Sequence, residues 1–122
     1  MNERRFSKNG EWATRFGAEW RIGLSEETLD DLGEISFVEL PLVGKWVKAG
    51  DSVGTVEAAK AATDYFSPLD GQVVRVNHEM ETSSGKLFEN RNHPPWIFAL
   101  AGVQDDAFEA LLSEEQWKRG NF

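Results

Sequence analysis

The chain has 122 residues, with five tryptophans and eight phenylalanines, enough for one modest core and an expected single domain over 1–122. Its formal net charge of -8, with lysines and arginines scattered, argues against a phosphate-backbone partner, so no nucleic acid is expected. Cysteine is absent, which excludes disulfides, thiolate catalysis and thiolate metal ligands from the polypeptide itself.

The first ten residues, MNERRFSKNG, lack the apolar run of a secretory signal, and no stretch is long enough to cross a bilayer. A cytoplasmic protein without a membrane partner is the expectation. FSKNGEW reads as a polar turn between aromatics. WATRFGAEWRIGL reads as two short strands around Gly17, from the imperfect alternation of Trp12, Phe16, Trp20 and Ile22. LSEETLDDLGEI carries a helix signal: Ser25 caps it, Glu26 and Glu27 favour its first turn, and Gly33 stops it.

From Ile35 the grammar changes. Glycines at 44, 50, 54 and 71 and prolines at 41 and 68 punctuate short valine-rich runs. ISFVEL, KWVKAG, VGTVEA, TDYFSP and QVVRVN read as five short strands, which suggests a small barrel or flattened sandwich. Gly44, Gly50 and Gly71 are expected at turns or close strand approaches. HEMETSSGKLFENRNHPP is polar and reads as mostly loop. WIFALAGV supplies a last strand. A helical segment is expected over 105–119, with Ser113 and Gln116 at capping-box spacing and Phe108, Leu111, Leu112 and Trp117 turned inward.

Few residues offer chemistry. His78 and His93 are the only histidines, and neither their spacing nor a second cluster supports a metal site with Glu79 or Glu81. Ser83 and Ser84 lack a nucleophile-elbow context. The glycines of VGKWVKAGDSVG form no phosphate-loop or dinucleotide fingerprint.

TVEAAKAATD is different, because one long amine, Lys60, stands between pairs of alanines. Alanine permits helix, but the flanking valines, glycine and Tyr-Phe-Ser-Pro place the lysine at or beside a hairpin turn. A Schiff-base lysine needs desolvation or a neighbouring cation, whereas Glu57 and Asp64 would stabilise its ammonium. A lysine on a protruding turn with small neighbours is open to acylation by another enzyme. It is equally readable as a solvated surface charge.

The string EAAKAATDYFSPLDGQVVRVN resembles the lipoyl-attachment region of the glycine cleavage H-protein family. LGEISFVELPLVGKWVKAGDSVGTV and RIGLSEETLDDLG resemble it too, so the likeness runs from about Phe6 to Leu100. The resemblance implies a mainly β fold, a barrel-sandwich hybrid with short flanking helices. It implies a carrier rather than an enzyme, with lipoic acid amide-linked to Lys60 and an aminomethyl intermediate carried in glycine cleavage. It further implies four kinds of partner: a pyridoxal-phosphate glycine decarboxylase, a folate-dependent aminomethyltransferase, a flavin dihydrolipoyl dehydrogenase and a lipoate-attaching enzyme.

By the same match, Glu57 and Asp64 flank the attachment site, and Glu11 before Trp12 lies by the cleft that receives the loaded arm. Glu11 and Asp64 are thus candidates to hold a cationic amine, if both line that cleft. Gly71 and Asn77 match positions that shape the return strand and its following turn. Gly10 and Pro95 stand where the family usually has histidine and glycine. Gly85 and Asn90 are expected to keep part of a family turn, and Trp96 keeps a family tryptophan. These departures leave room for related lipoyl carriers in sulfur oxidation, lipoate relay or stress-linked ADP-ribosylation modules, and for an unmodified binding module.

Overall fold

A computed structural model describes residues 3–89 and 93–120. In chain order it contains β1 (Arg4–Phe6), β2 (Glu11–Phe16), β3 (Glu19–Leu24), α1 (Glu26–Leu32), β4 (Ile35–Val38) and β5 (Trp46–Val47). There follow β6 (Ser52–Ala58), β7 (Ala62–Phe66), β8 (Gly71–Val76), α2 (Met80–Leu87), β9 (Trp96–Ala101), α3 (Asp105–Glu109), β10 (Leu112–Ser113) and α4 (Glu114–Arg119).

The strands form two sheets, antiparallel throughout. One has the order β10-β1-β2-β3-β9-β8-β5, and the other has the order β4-β6-β7. Alternation decides which residues fill the space between them. Trp20, Ile22 and Leu24 of β3 point inward, as do Val73 of β8 and Phe98 and Leu100 of β9. Val53 and Val56 of β6 are both buried despite their odd spacing, because the register shifts between Ser52 and Gly54. Tyr65 of β7 is buried beside Phe98, and its hydroxyl donates to the Glu39 carbonyl at 2.6 Å. Burial pushes the Tyr65 phenol up, so it stays a donor.

The five central strands appear where the valine runs placed them. Gly44 and Gly50 take positive φ at turns, and Gly71 lies against the Ala101 carbonyl. Strands β2 and β3 meet at Gly17, as read from the sequence, although Phe16 faces solvent rather than the core.

Helix α1 follows its sequence signals closely. The Ser25 hydroxyl accepts from Thr28 N–H at 3.1 Å, and Leu29 buries the inner face. Its start is tied to the preceding turn, since Ser25 N–H donates to the Gly10 carbonyl at 2.8 Å. Gly10 has φ 97, and a Cβ there would overlap the Thr28 hydroxyl, so this position takes no side chain without strain.

Two expectations need correction. The polar stretch after Asn77 is not mostly loop, because α2 occupies its first half. Ser83, Ser84 and Gly85 are weak helix formers, so local propensity hides it. Tertiary contacts make it: Met80 and the following Phe88 are buried, and α2 packs on β4. Asn77 organises the entry. Its amide NH2 donates to the Trp96 carbonyl at 2.8 Å, and its side-chain oxygen accepts from Glu79 N–H at 3.3 Å. Gly85 therefore sits in a helix, while Asn90 lies outside the described residues.

The C-terminal segment 105–119 is likewise not one helix. Leu112 and Ser113 pair with Phe6 and Arg5, so β9 is not the last strand. Ser113 must be extended to cap α4, where it and Gln116 form the expected capping box. Phe108, Leu111, Leu112 and Trp117 are half-buried, and Trp117 stacks on Phe6 at 5.4 Å between centroids.

Candidate functional site

Lys60 occupies the bend between β6 and β7, with its side chain exposed. Ala58 N–H donates to the Ala61 carbonyl at 3.1 Å and closes the hairpin. The tip is not loose. Ala59 N–H donates to the Glu34 carbonyl at 2.8 Å, and Lys60 N–H donates to the Leu32 carbonyl at 3.4 Å. The end of α1 therefore seats the lysine. Gly33, with φ 80, leaves room for the lysine stem, whose Cγ and Cε lie 3.6 Å from where a Cβ would stand. The Lys60 ammonium has no ion-pair partner among the described residues. The small alanines expose the amine, and the backbone bonds limit where it can swing.

Beside this seat lies a cleft of about 290 Å³ between α1 and the β6–β7 hairpin. Glu11, Thr28, Asp31, Val56, Thr63 and Tyr65 are among its lining residues. Glu11 is its buried charge, only 3% exposed. Its carboxylate accepts from the Ser7 hydroxyl at 2.7 Å and from Phe66 N–H at 3.4 Å. Burial pushes this carboxyl up from the ordinary range, and the two hydrogen bonds only partly oppose that rise. Neighbouring Trp12 is locked by its indole N–H, which donates to the Leu24 carbonyl at 3.0 Å.

Asp64 also borders the cleft, but its carboxylate looks elsewhere. It accepts from the Ser52 and Thr55 hydroxyls, each at 3.2 Å. Thr55 and Asp64 are cross-strand partners, and buried Val56 pairs with Thr63. Alternation therefore turns the Asp64 side chain to the outer face of the hairpin, away from Val56. Glu57 shares that outer face, exposed three residues before Lys60. The carboxylates thus divide: Glu11 faces inward, while Glu57 and Asp64 face outward beside the tip.

The sequence reading did not single out Asp31 or Thr28. Asp31 had a signal. It lies in the last turn of α1, where negative charge disfavours the helix and no basic residue offsets it. Among the described residues, no group of three His, Cys, Asp or Glu side chains could hold a metal ion, and His78 and His93 are exposed. No described helix is long and apolar enough to cross a membrane.

The model of the glycine cleavage H-protein family matches residues 4–120. The glycine cleavage system H protein of Listeria welshimeri is 35% identical over 115 residues, covering 94% of this chain and 92% of the relative. That of Legionella pneumophila strain Corby is 33% identical over 118 residues, covering 97% and 94%. The crystal structure of a glycine cleavage system H protein from Mycobacterium marinum superposes with a TM-score of 0.80 at 27% identity, covering 98% of this chain and 96% of that one. The match extends past Leu100 into α3, β10 and α4, beyond the stretch that carried the resemblance. The hairpin-borne lysine, the cleft beside it and these relatives agree: the chain belongs to the glycine cleavage H-protein family.

Proposed function

We propose that Lys60 bears lipoate through an amide at Nζ, and that the chain carries an amine-bearing one-carbon unit between the enzymes of glycine cleavage. It acts as a carrier and not as a catalyst. The observation that bears most weight is the pairing of an exposed, backbone-seated lysine with a cleft containing a buried carboxylate. Lipoate supplies a redox-active disulfide to a polypeptide that has no cysteine of its own.

The residues present fit that group. An amine flanked by alanines is open to the active site of an attaching enzyme. The bonds to Leu32 and Glu34 keep the attachment point at the cleft rim through successive encounters. Ionised Glu11 offers a fixed acceptor for a cationic amine in a site partly screened from water, where a charge-assisted hydrogen bond is strongest. Leu24, Leu32, Val56 and Phe66 give the same cleft apolar walls for a hydrocarbon chain. Glu57 and Asp64, on the outer face, are placed to be read by partners that approach the tip. A carrier for sulfur transfer or lipoate relay has no comparable use for the buried acid.

The partners in this reading are the pyridoxal-phosphate glycine decarboxylase, the folate-dependent aminomethyltransferase, the flavin dihydrolipoyl dehydrogenase and the lipoate-attaching enzyme. Tethering raises the effective concentration of the cargo at each of them. The test is reconstitution with these enzymes after lipoylation. Glycine-dependent carbon dioxide and ammonia release should require both the lipoylated chain and Lys60. Turnover by Lys60→Arg at the wild-type level would reject the assignment. So would a lipoylated protein that the dehydrogenase reduces readily but that never accepts the one-carbon unit from the decarboxylase.

A further inference from the structure

We infer that the outer face of the seven-stranded sheet, turned away from the Lys60 hairpin, is a docking surface for an acidic segment of a partner protein, with the Arg21 guanidinium receiving one of its carboxylates. The inference goes beyond the carrier reading above and rests on it only for the choice of partner, an enzyme that the carrier visits.

Alternation builds this face. Trp20, Ile22, Phe98 and Leu100 point into the core shared with the hairpin sheet, so Arg21 and Ala99 point the other way. Cross-strand pairs extend the face: Arg21 lies opposite Ala99, Ala99 opposite Arg75, and Gln72 opposite both Ala101 and Trp46. Phe16 of β2 and Trp46 of β5 stand at its two sides, four strand spacings or about 20 Å apart. That span fits inside the roughly 800 Å² that one partner contributes to a standard interface. Trp46 is 66% exposed and Phe16 52%, so both sides of the face present aromatic surface that the core does not use.

Arg21 is held in a way that the fold itself does not use. Its guanidinium carbon lies 3.8 Å from the Phe16 ring centroid and 4.7 Å from that of Trp96. Nε is buried there with no hydrogen-bond partner, and among the described residues the guanidinium makes no ion pair. Desolvating that nitrogen and fixing a long side chain both cost free energy, which the contacts with the two rings only partly offset. The neighbouring cation is different. Arg75 Nε and Nη2 donate to the Glu19 carboxylate at 3.2 and 3.0 Å. Arg21 is thus a pre-set guanidinium on this face with no carboxylate of its own chain.

Charge selects the occupant. Arg21 and Arg75 face one carboxylate, Glu19, so the face is locally positive in a chain of net charge -8. An acidic segment is drawn here, while Glu57 and Asp64 repel it from the hairpin side. A carboxylate matches the planar fork of a guanidinium, and apolar side chains beside it would rest on Phe16 and Trp46. A second copy fits poorly. A two-fold contact through this face would bring like charges together, and its one carboxylate is already held by Arg75. An anionic lipid surface would meet the same net negative chain. Docking on this sheet leaves Lys60, carried by the other, free to enter an active site.

The experiment measures binding of the full chain, lipoylated and unmodified as verified by intact mass, to purified glycine decarboxylase, aminomethyltransferase and dihydrolipoyl dehydrogenase. Calorimetry at low and high salt gives each Kd. For at least one enzyme, Arg21→Gln should raise Kd about tenfold or more, the loss expected of a hydrogen-bonded charge pair, and high salt should shrink the difference. Trp46→Ser, an exposed change outside the Arg21 stack, should raise the same Kd about fivefold. Arg21→Lys should recover little, because an ammonium cannot form the fork. The Arg21 dependence should persist in a Lys60→Arg background. The bound enzyme should shift the indole N–H resonances of Trp46 and Trp96 but not that of buried Trp20, and thermal melts confirm that each variant is folded. Wild-type affinity of both Arg21→Gln and Trp46→Ser for all three enzymes overturns the inference, as does full recovery with Arg21→Lys. Self-association, or binding to phosphatidylglycerol vesicles, that is lost in Arg21→Gln while no enzyme binds also overturns it, in favour of a second copy or a lipid surface. Absence of a lipoyl group at Lys60 under competent lipoylation overturns the carrier reading instead, since the Arg21 comparison is also made on unmodified chain.

Discussion

Replacing Glu11 with glutamine removes one charge from the cleft and little else. The wild-type carboxylate accepts from the Ser7 hydroxyl at 2.7 Å and from Phe66 N–H at 3.4 Å. Glutamine can turn its carbonyl to Phe66 N–H and donate its amide to the Ser7 oxygen, because a hydroxyl can reverse its role. Both bonds survive, so the fold should change by less than about 1 kcal/mol at neutral pH. The sign can be worked out. Burial raises the Glu11 pKa in the folded state, so the folded chain holds the proton more tightly than the unfolded chain. Stability therefore falls as pH rises from the unfolded to the folded pKa, and levels off above. Glu11→Gln should abolish that fall and be neutral or slightly stabilising above it. Retention of the cargo responds oppositely. A hydrogen bond to a charged group contributes about 1.5–3 kcal/mol, so losing it should shorten the life of the loaded carrier about ten- to 150-fold. In the wild type, retention should also weaken as pH falls through the raised Glu11 pKa. The assay is ammonia release from loaded carrier without acceptor, with reduction of the unloaded lipoyl protein by dihydrolipoyl dehydrogenase as control. Unchanged release, or an equal loss in the reductase rate, would refute the reasoning.

Gly33→Ala should cost about 1–3 kcal/mol in urea unfolding, because φ 80 with ψ -144 suits glycine alone. It should also slow lipoylation by crowding the Lys60 stem; an unaltered rate would argue that Gly33 does not shape the seat. Tyr65→Phe should lose about 1 kcal/mol, since it strands the Glu39 carbonyl that now accepts at 2.6 Å. Arg4 bridges Glu26 of α1 at 3.1 Å and Glu114 of α4 at 2.8 Å, so Arg4→Met should lower thermal stability at neutral pH. Arg4 holds the Glu114 carboxyl below its ordinary value, so this contribution is present above the unfolded pKa. The gap between wild type and Arg4→Met should narrow as pH drops through the depressed folded value, measured by thermal melts.

Much of this architecture was legible because local signals agreed with the fold. Ser25, Glu26, Glu27 and Gly33 marked α1 from cap to stop, and Lys60 fell on a hairpin because the valines and glycine before it and Tyr-Phe-Ser-Pro after it left little room for the helix its alanines permit. Helix α2 was hidden since its stability comes from burying Met80 and packing on β4 rather than from Ser83, Ser84 and Gly85. Strand β10 was hidden since only its pairing with β1 makes it a strand. The site was half legible. Nearness along the chain grouped Asp64 with Lys60, but a strand turns successive side chains to opposite faces, and Asp64 directly follows the cleft-facing Thr63. Asp31 comes from a different element, and only the seating of the hairpin on the end of α1 puts it in the cleft beside the hairpin.

The most direct measurement is peptide mapping by tandem mass spectrometry after incubation with lipoate and its attaching enzyme. The carrier account predicts one lipoyl group, on Lys60 Nζ, and none anywhere on Lys60→Arg. An unmodified Lys60 under conditions that fully lipoylate another member of the family, or a lipoyl group on a different lysine, would contradict it.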